Sequence, residues 1–316
     1  MITLRTADLT TDAPALAQLL SLTTPEAVTA QQVAEWWRPR ENEIRSTTVA
    51  LNSAGQVVGM ADVESLAWKQ AGIFRVRVIV TAEWRNQGIG NQLYAEALRF
   101  ARTHNAKTLH SNVKDTDAAS LRFAEQRGFA IDRHTFESVL DLSRFDETTF
   151  AGGVERLKAL GFRFLSLAAA EMDVEQARRK LYALNRETGL DNPGNSGTFS
   201  PYDEFRQDVF EASWFRADGQ ILAADGERWV ALAAIALSPE HNSAYNAFTG
   251  VDREYRGRGL AYAVKLLAIR WAKQSGALLI RTDNDSQNGP MLAINRKLGY
   301  QPEPGTYQIV CHLSDG

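Results

Sequence analysis

Two short stretches have the residue types and spacing to hold an anion. They are Arg85-Asn86-Gln87-Gly88-Ile89-Gly90 and Arg256-Gly257-Arg258-Gly259-Leu260-Ala261. A basic turn containing glycine lets the backbone approach a ligand closely. If a helix follows, its free amides and positive dipole end favour phosphate. Neither turn carries the Gly-Lys-Ser/Thr of a nucleotide-binding P-loop. A dinucleotide fingerprint would need a small residue where Leu93 and Tyr262 stand, and a parallel βαβ unit where hairpin signals occur. The plain alternative is a glycine turn that serves geometry alone. That the device occurs twice argues against it.

The flanking residues supply the elements such a turn needs. Ala244 to Val251 reads as a strand, and Leu260, Val264, Leu267, Ala268 and Trp271 share one face at helical spacing. Earlier, Ile73 to Thr81 reads as a strand and Asn86 to His104 as a helix. Each copy continues with a strand, Thr108 to Val113 or Leu278 to Thr282. A helix then follows, ending in Gly128-Phe129 or Gly299-Tyr300. Residues 80–129 align without gaps on 251–300, a constant spacing of 171, with ten identities: Val80, Glu83, Arg85, Gly88, Ala97, Arg99, Ala101, Ala106, Leu121 and Gly128. The chain is a fused duplication. Hairpins are expected at Asn52-Ser53-Ala54-Gly55 and Asp225-Gly226. A final strand is expected in each half, Phe136 to Leu142 and Tyr307 to Leu313. The expected division is a first domain 1–143, a linker 144–161 and a second domain 162–316.

Arg/Gln-x-x-Gly-x-Gly/Ala at a strand-to-helix junction, followed by the strand, helix and Gly-aromatic ending, resembles the GCN5-related N-acetyltransferase (GNAT) family in its tandem-domain form. The resemblance is clearest over Arg75 to Arg133 and Tyr245 to Pro302. It implies an α/β (α+β) fold of two GNAT-like domains, each a mixed, mostly antiparallel sheet flanked by helices. It also implies acetyl-CoA as acyl donor, its pyrophosphate on the glycine turn and its pantetheine arm between two splayed strands. Carried over by position, Thr249, Gly250 and Val251 meet the acetyl and pantetheine part, and Arg256, Gly257, Arg258, Gly259, Leu260 and Ala261 hold the pyrophosphate. Asn288 takes the place of an asparagine that bonds the pantetheine. The first-half matches are Val78, Ile79 and Val80, and Arg85, Asn86, Gln87, Gly88, Ile89 and Gly90. Asp117 stands at the asparagine position, where it can also cap a helix. The second half is therefore the better donor site, and the first a degenerate copy shaping the substrate cleft.

Catalytic groups are harder to read. Many family members place a tyrosine four residues before the Gly-aromatic pair as the acid, and here Ala124 and Asn295 hold those positions. Asn295 can bond the thioester sulfur, or serve as a helix residue bonding the backbone. Tyr262 is another hydroxyl for the leaving thiolate. Asp283, at the end of its strand, is the candidate base, with Glu64 and His110 the first-half counterparts and a water-relayed base the competing answer. Cys311 and His312 lie on opposite faces of the last strand, one in the core and one in solvent, and no His-acid pair marks Cys311 as a nucleophile.

The expected function is transfer of an acetyl group from acetyl-CoA to a primary amine of a small molecule or an amino terminus. The alternatives are a catalytically silent CoA-binding regulatory or scaffold protein, and a mycothiol-synthase-like enzyme, which shares the tandem layout. With 316 residues, net charge −3, 44% hydrophobic and 23% charged residues, the chain has no electrostatic case for nucleic acid or anionic membrane. No metal ligand set and no membrane-length apolar run is evident, and Met1 to Arg5 lacks signal-peptide features. A single cysteine fits a reducing compartment, and a cytoplasmic location is expected. A monomer with an internal pseudo-dimer, or a homodimer, is the expected assembly.

Overall fold

A computed structural model of the chain describes residues 1–24, 27–38, 44–66, 71–150, 152–195 and 197–314. The chain forms two compact units, 1–133 with 306–316, and 134–305.

The first unit is built from β1 (Thr3–Thr6), α1 (Leu9–Ser21), α2 (Ala30–Trp36), β2 (Arg45–Leu51), β3 (Val57–Ser65), β4 (Ile73–Val80), α3 (Ile89–Thr103), β5 (Thr108–Lys114) and α4 (Ala118–Glu125). Helix starts are set by side chains that satisfy free amides: Asp8 accepts from Thr10 N at 2.9 Å, and Thr29 and Gln32 form a reciprocal capping box. Strands β1 to β4 pair antiparallel in sequence order, with the expected 52–55 turn between β2 and β3. β4 and β5 run parallel, and their register holds only from Ile73↔Thr108 to Arg75↔His110. One face of the sheet packs on α3 through Ile89, Leu93, Ala97 and Ala101, spaced by four residues, and the other on α1 and α2 through Leu16, Leu20 and Val33.

The second unit begins within β6 (Ala130–Asp141), at residue 134, and continues as α5 (Gly153–Ala159), β7 (Arg163–Ser166), α6 (Val174–Gly189), α7 (Tyr202–Phe205), β8 (Gln220–Asp225), β9 (Arg228–Ser238), β10 (Ser243–Val251), α8 (Leu260–Gln274), β11 (Leu279–Asp285), α9 (Gly289–Lys297) and β12 (Gln301–Pro302). β7, β8, β9 and β10 pair antiparallel in order. β9 is buried on both faces, which its near-continuous apolar run Trp229 to Leu237 allows. β10 and β11 are parallel, again over a short register, Ser243↔Leu279 to Tyr245↔Arg281. One face carries α8, α5 and α9, and the other carries α6 and an aromatic cluster including Tyr182, Phe199, Phe205 and Phe210.

The closing strands depart from the sequence reading. β6 was expected to finish the first half, yet its residues 135–141 lie antiparallel to β11 of the second unit. The last strand, β13 (Thr306–His312), lies antiparallel to β5 of the first, from Thr306↔Lys114 to His312↔Thr108. Alternating strands carry no label of the sheet they join, so sequence pattern cannot distinguish exchange from self-closure. Residues 144–161, read as a linker, are not a spacer. Phe145, Val154 and Leu157 are buried in the α8-side core, and Arg270 Nε donates to Glu147 at 2.5 Å. Among the described residues no helix is long and apolar enough to cross a membrane.

Candidate functional site

In the second unit the glycine turn sits where it was expected, between β10 and α8. Gly257 and Gly259 have φ of +76° and +90°, values that a side chain strains, and nothing lies within 4 Å of where a Cβ would stand on either. The turn is therefore an open cradle at the N-terminus of a 15-residue helix, whose first amides lack partners in their own helix. Arg256 braces it from within: its Nε donates to Val251 O at 3.1 Å and its Nη2 bonds Asp191. Arg253 Nε donates to the same carboxylate at 2.7 Å. The two guanidinium groups hold Asp191 well below the usual carboxylate range, Arg253 contributing most. Arg258 donates to Glu254 O at 3.0 Å and lies 4.8 Å over the Tyr255 ring. Leu260 is buried, and Ala261 follows it on the first turn of α8.

The first unit repeats this frame. Arg85 Nε donates to Val80 O at 3.0 Å, Gln87 Nε2 to Glu83 O at 3.1 Å, and Gly88 has φ +80°. Asn86 takes the place of Gly257 at φ +60°, a conformation asparagine tolerates. Ile89 is buried, and a Cβ on Gly90 would stand 3.1 Å from the Phe123 ring, which explains the small residue there. Asn288 and Asp117 play one local role, capping α9 and α4: Asn288 accepts from Met291 N at 3.3 Å and Asp117 from Ser120 N at 2.9 Å.

Both parallel strand pairs part beyond their short registers, so each unit has a wedge between strands beside its cradle. Only β10 adds a bulge. Its register on β9 shifts between Asn246 and Phe248, leaving the exposed Ala247 without a cross-strand partner where β10 leaves β11. The spacing between equivalent residues records the extra residue: Ser243 and Ile73 differ by 170, whereas Thr249 and Val78 differ by 171. Past the bulge, Thr249 Oγ1 donates to Asn246 Oδ1 at 3.2 Å. Gly250 is packed so closely that a Cβ would stand 2.3 Å from Thr188 Oγ1 on α6, while Val251 packs on the α8 side. The first-unit counterparts Val78, Ile79 and Val80 keep full side chains, with Ile79 buried among α1 and α2 residues.

The faces beside the two wedges differ chemically. In the second unit Tyr245 OH donates to Asp283 Oδ2 at 2.5 Å, and burial together with that bond keeps the phenol neutral far above its ordinary range. Across from Tyr245 on β9 stands the small Ala236. The first unit fills the same face with charge. Glu64 is buried between Arg45, at 3.1 Å, and Arg75, while Asp62 accepts from Arg45 Nε at 3.0 Å, Thr47 Oγ1 at 2.9 Å and Trp37 Nε1 at 3.1 Å. Burial lowers Arg75 and Arg77. Glu64 is thus committed to two arginines, and His110 stands beside Arg75 in the register.

Asn295 is 2% exposed, and its Nδ2 donates to Asn284 Oδ1 at 2.8 Å rather than to the backbone. Tyr262 packs on Phe150 and lies under the Lys297 ammonium, 4.5 Å from the ring centroid. Cys311 is buried, which raises its thiol, and His312 is exposed. Sequence reading missed Tyr245, the bulge and Lys265. The change of spacing from 171 to 170 upstream of Val80 was the signal for the bulge. Lys265 had a signal too, a charge on the buried face of its helix.

The acetyltransferase (GNAT) family model matches the chain twice, at residues 13–129 and 181–300. The chain belongs to that family, with two copies in tandem. A mycothiol acetyltransferase of Saccharomonospora viridis is 31% identical over 97 residues, 28% of this chain and 32% of that protein, so the match spans about a third of the curated relative. A GCN5-related N-acetyltransferase structure from Sphaerobacter thermophilus superposes with a TM-score of 0.60 at 17% identity, covering 100% of this chain and 96% of that one. A tandem GNAT protein from the clavulanic acid biosynthesis pathway gives 0.57 at 18% identity, with both chains fully covered. These two likenesses concern the fold.

Proposed function

We infer that the chain is an acetyl-CoA-dependent N-acetyltransferase acting on a primary amine, of a small molecule or an amino terminus, with the second unit catalytic. The observation that carries this reading is the combination of open glycine cradle, parted strands and bulge in one unit. The cradle fits a pyrophosphate: two left-handed glycines leave room for it, and unpaired helix amides face it. The wedge beyond Tyr245 suits a linear pantetheine arm, with the unpaired Ala247 at the point where β10 leaves β11.

Bound acetyl-CoA supplies an activated thioester, so the protein's own work is placement and proton handling. Placement alone accounts for much of such an acceleration, and a positioned base adds roughly 10²–10⁴-fold. Asp283, held by the Tyr245 hydroxyl, is the carboxylate best placed to take a proton from the incoming ammonium. Asn295 is better suited to holding Asn284 than to protonating a thiolate, so the acid role falls to solvent.

Calorimetric titration tests the assignment. Acetyl-CoA should bind the intact chain, Gly259→Glu should abolish the strong site, and Gly88→Glu should leave it. Undiminished binding in Gly259→Glu would sink the second unit as donor site. The lack of an acid at Ala124 and the burial of Asn295 favour a second reading, a silent CoA-binding protein. Acetyl-CoA binding without thiol release across a broad amine panel would establish that instead. A mycothiol-type acceptor is suggested by the name of the Saccharomonospora relative alone.

A further inference from the structure

Lys265, on α8, is 1% exposed and points into the second unit under the bulge. Its Nζ donates to Asn246 Oδ1 at 2.5 Å and lies 5.2 Å from the Tyr300 ring centroid. Among the described residues no charged side chain compensates it, and burial alone pulls the amine down to about 7. Asn246 uses all four of its hydrogen-bonding positions. Oδ1 accepts from Lys265 and from Thr249 Oγ1, while Nδ2 donates to Phe248 O at 2.8 Å and to Ala234 O at 3.1 Å. Those two carbonyls lie just past the bulge and opposite it on β9, so the carboxamide staples the bulge from both sides.

Nearby polarity is equally costly. Tyr300 OH and Asn295 Oδ1 are buried without partners among the described residues, and Asn284 Nδ2 donates to Ser138 Oγ at 2.8 Å. At the 171 spacing the first unit has Tyr94, Phe129, Ala124 and Val113 in place of Lys265, Tyr300, Asn295 and Asn284. The fold therefore forms with no lysine and fewer polar groups at these places, and β4 there has no bulge. A buried, unpaired ammonium lowers stability, so its presence only where the bulge occurs points to the bulge.

We propose that Lys265 is a positioning residue for acyl transfer. Through Asn246 it fixes the β10 bulge so that the backbone at Ala247 meets the acyl carbonyl where β10 and β11 part. This rests on the second unit being the acetyl-CoA site. Lys265 touches no reacting atom itself; it acts through Asn246.

The test needs no acceptor. The infrared carbonyl band of acetyl-CoA labelled with carbon-13 at the carbonyl is recorded on the intact chain and on Lys265→Met and Thr249→Val. Calorimetry with CoA, which lacks the acyl group, and thermal unfolding accompany it. The wild-type chain should hold the band at lower frequency than Lys265→Met. That variant should keep CoA affinity and melt higher, because a buried charge is gone. Thr249→Val, which removes one donor to Asn246 and leaves the lysine, should show a partial shift. An unchanged band in Lys265→Met overturns the proposal. So does a variant that melts lower and loses CoA as well, since the lysine would then be merely structural. Failure of the wild-type chain to bind acetyl-CoA overturns the reading of the site itself, and the proposal with it.

Discussion

Arg85 and Arg256 open the two cradles, and each spends its Nε on the carbonyl that ends the preceding strand. Their type and position could be read from sequence, whereas this internal bracing could not, because it depends on how the turn folds back. Asp283 was also legible as a carboxylate on its strand, though not at the strand's end: β11 runs two residues past it, to Asp285, and pairs it with Glu137. Its partner Tyr245 was not, since the two meet only through a parallel pairing 38 residues apart. Asp283→Asn should lower kcat by about 10²-fold or more and leave the KM for acetyl-CoA nearly unchanged, as measured by thiol release with an accepted amine. Lys265 gives a pH prediction. Its amine falls from 10.5 to about 7 in the fold, so the unfolded chain holds the extra proton between those values. Stability should rise with pH across that window, and the cost of the charge, about 5 kcal/mol from 10.5 to 7, is complete below it. Lys265→Met should therefore exceed wild type most below pH 7, with the gap closing toward pH 10.5, in urea titrations across that range. The groups facing the amine, Asn246 and the Tyr300 ring, carry no charge there.

Among the elements, β10 and the end of α6 are locked together. Gly250 leaves no space against Thr188, whose own Oγ1 donates to Leu184 O at 2.7 Å. Gly250→Ala would overpack this contact and should cost about 1–3 kcal/mol, read as a lower unfolding midpoint with an unchanged denaturant slope. Just beyond α6, Asp191 ties its segment to Arg253 and Arg256. Because the fold depresses this carboxyl below its ordinary 3.8, its contribution is present above that pH and lost as pH falls further. Asp191→Asn should flatten the acid limb of the stability profile below about pH 4 without changing its neutral slope. Helices and hairpins of both units follow from periodicity, caps and Gly turns, as α3, α8 and the 52–55 turn show. The parting of β10 from β11 does not, because a strand's sequence pattern says nothing of where its partner leaves it.

At the scale of the molecule, a spacing of 171 made the duplication legible, and two family matches agree with it. The destination of the closing strands was hidden for the reason that hides strand partners generally: β6 and β13 have the same alternation whichever sheet they join. Removing residues after Gly305 would strip β5 of the strand paired along all seven of its residues, Thr108 to Lys114. The shortened chain should lose amide protection in β5 while β8 and β9 of the second unit keep theirs, as hydrogen exchange would show. Full retention of protection in β5 would contradict the pairing.

The exchange of closing strands also sets an order of events on the ribosome. β5 emerges early, yet the strand that covers it is translated only after nearly two hundred further residues. At about 5–20 residues per second, the nascent first sheet waits roughly 10–40 s with an uncovered strand, the kind of surface that chaperones bind and neighbouring chains can capture. A circular permutant with Thr306–His312 moved ahead of Met1 removes that wait, and its yield of soluble protein without chaperone help should be higher.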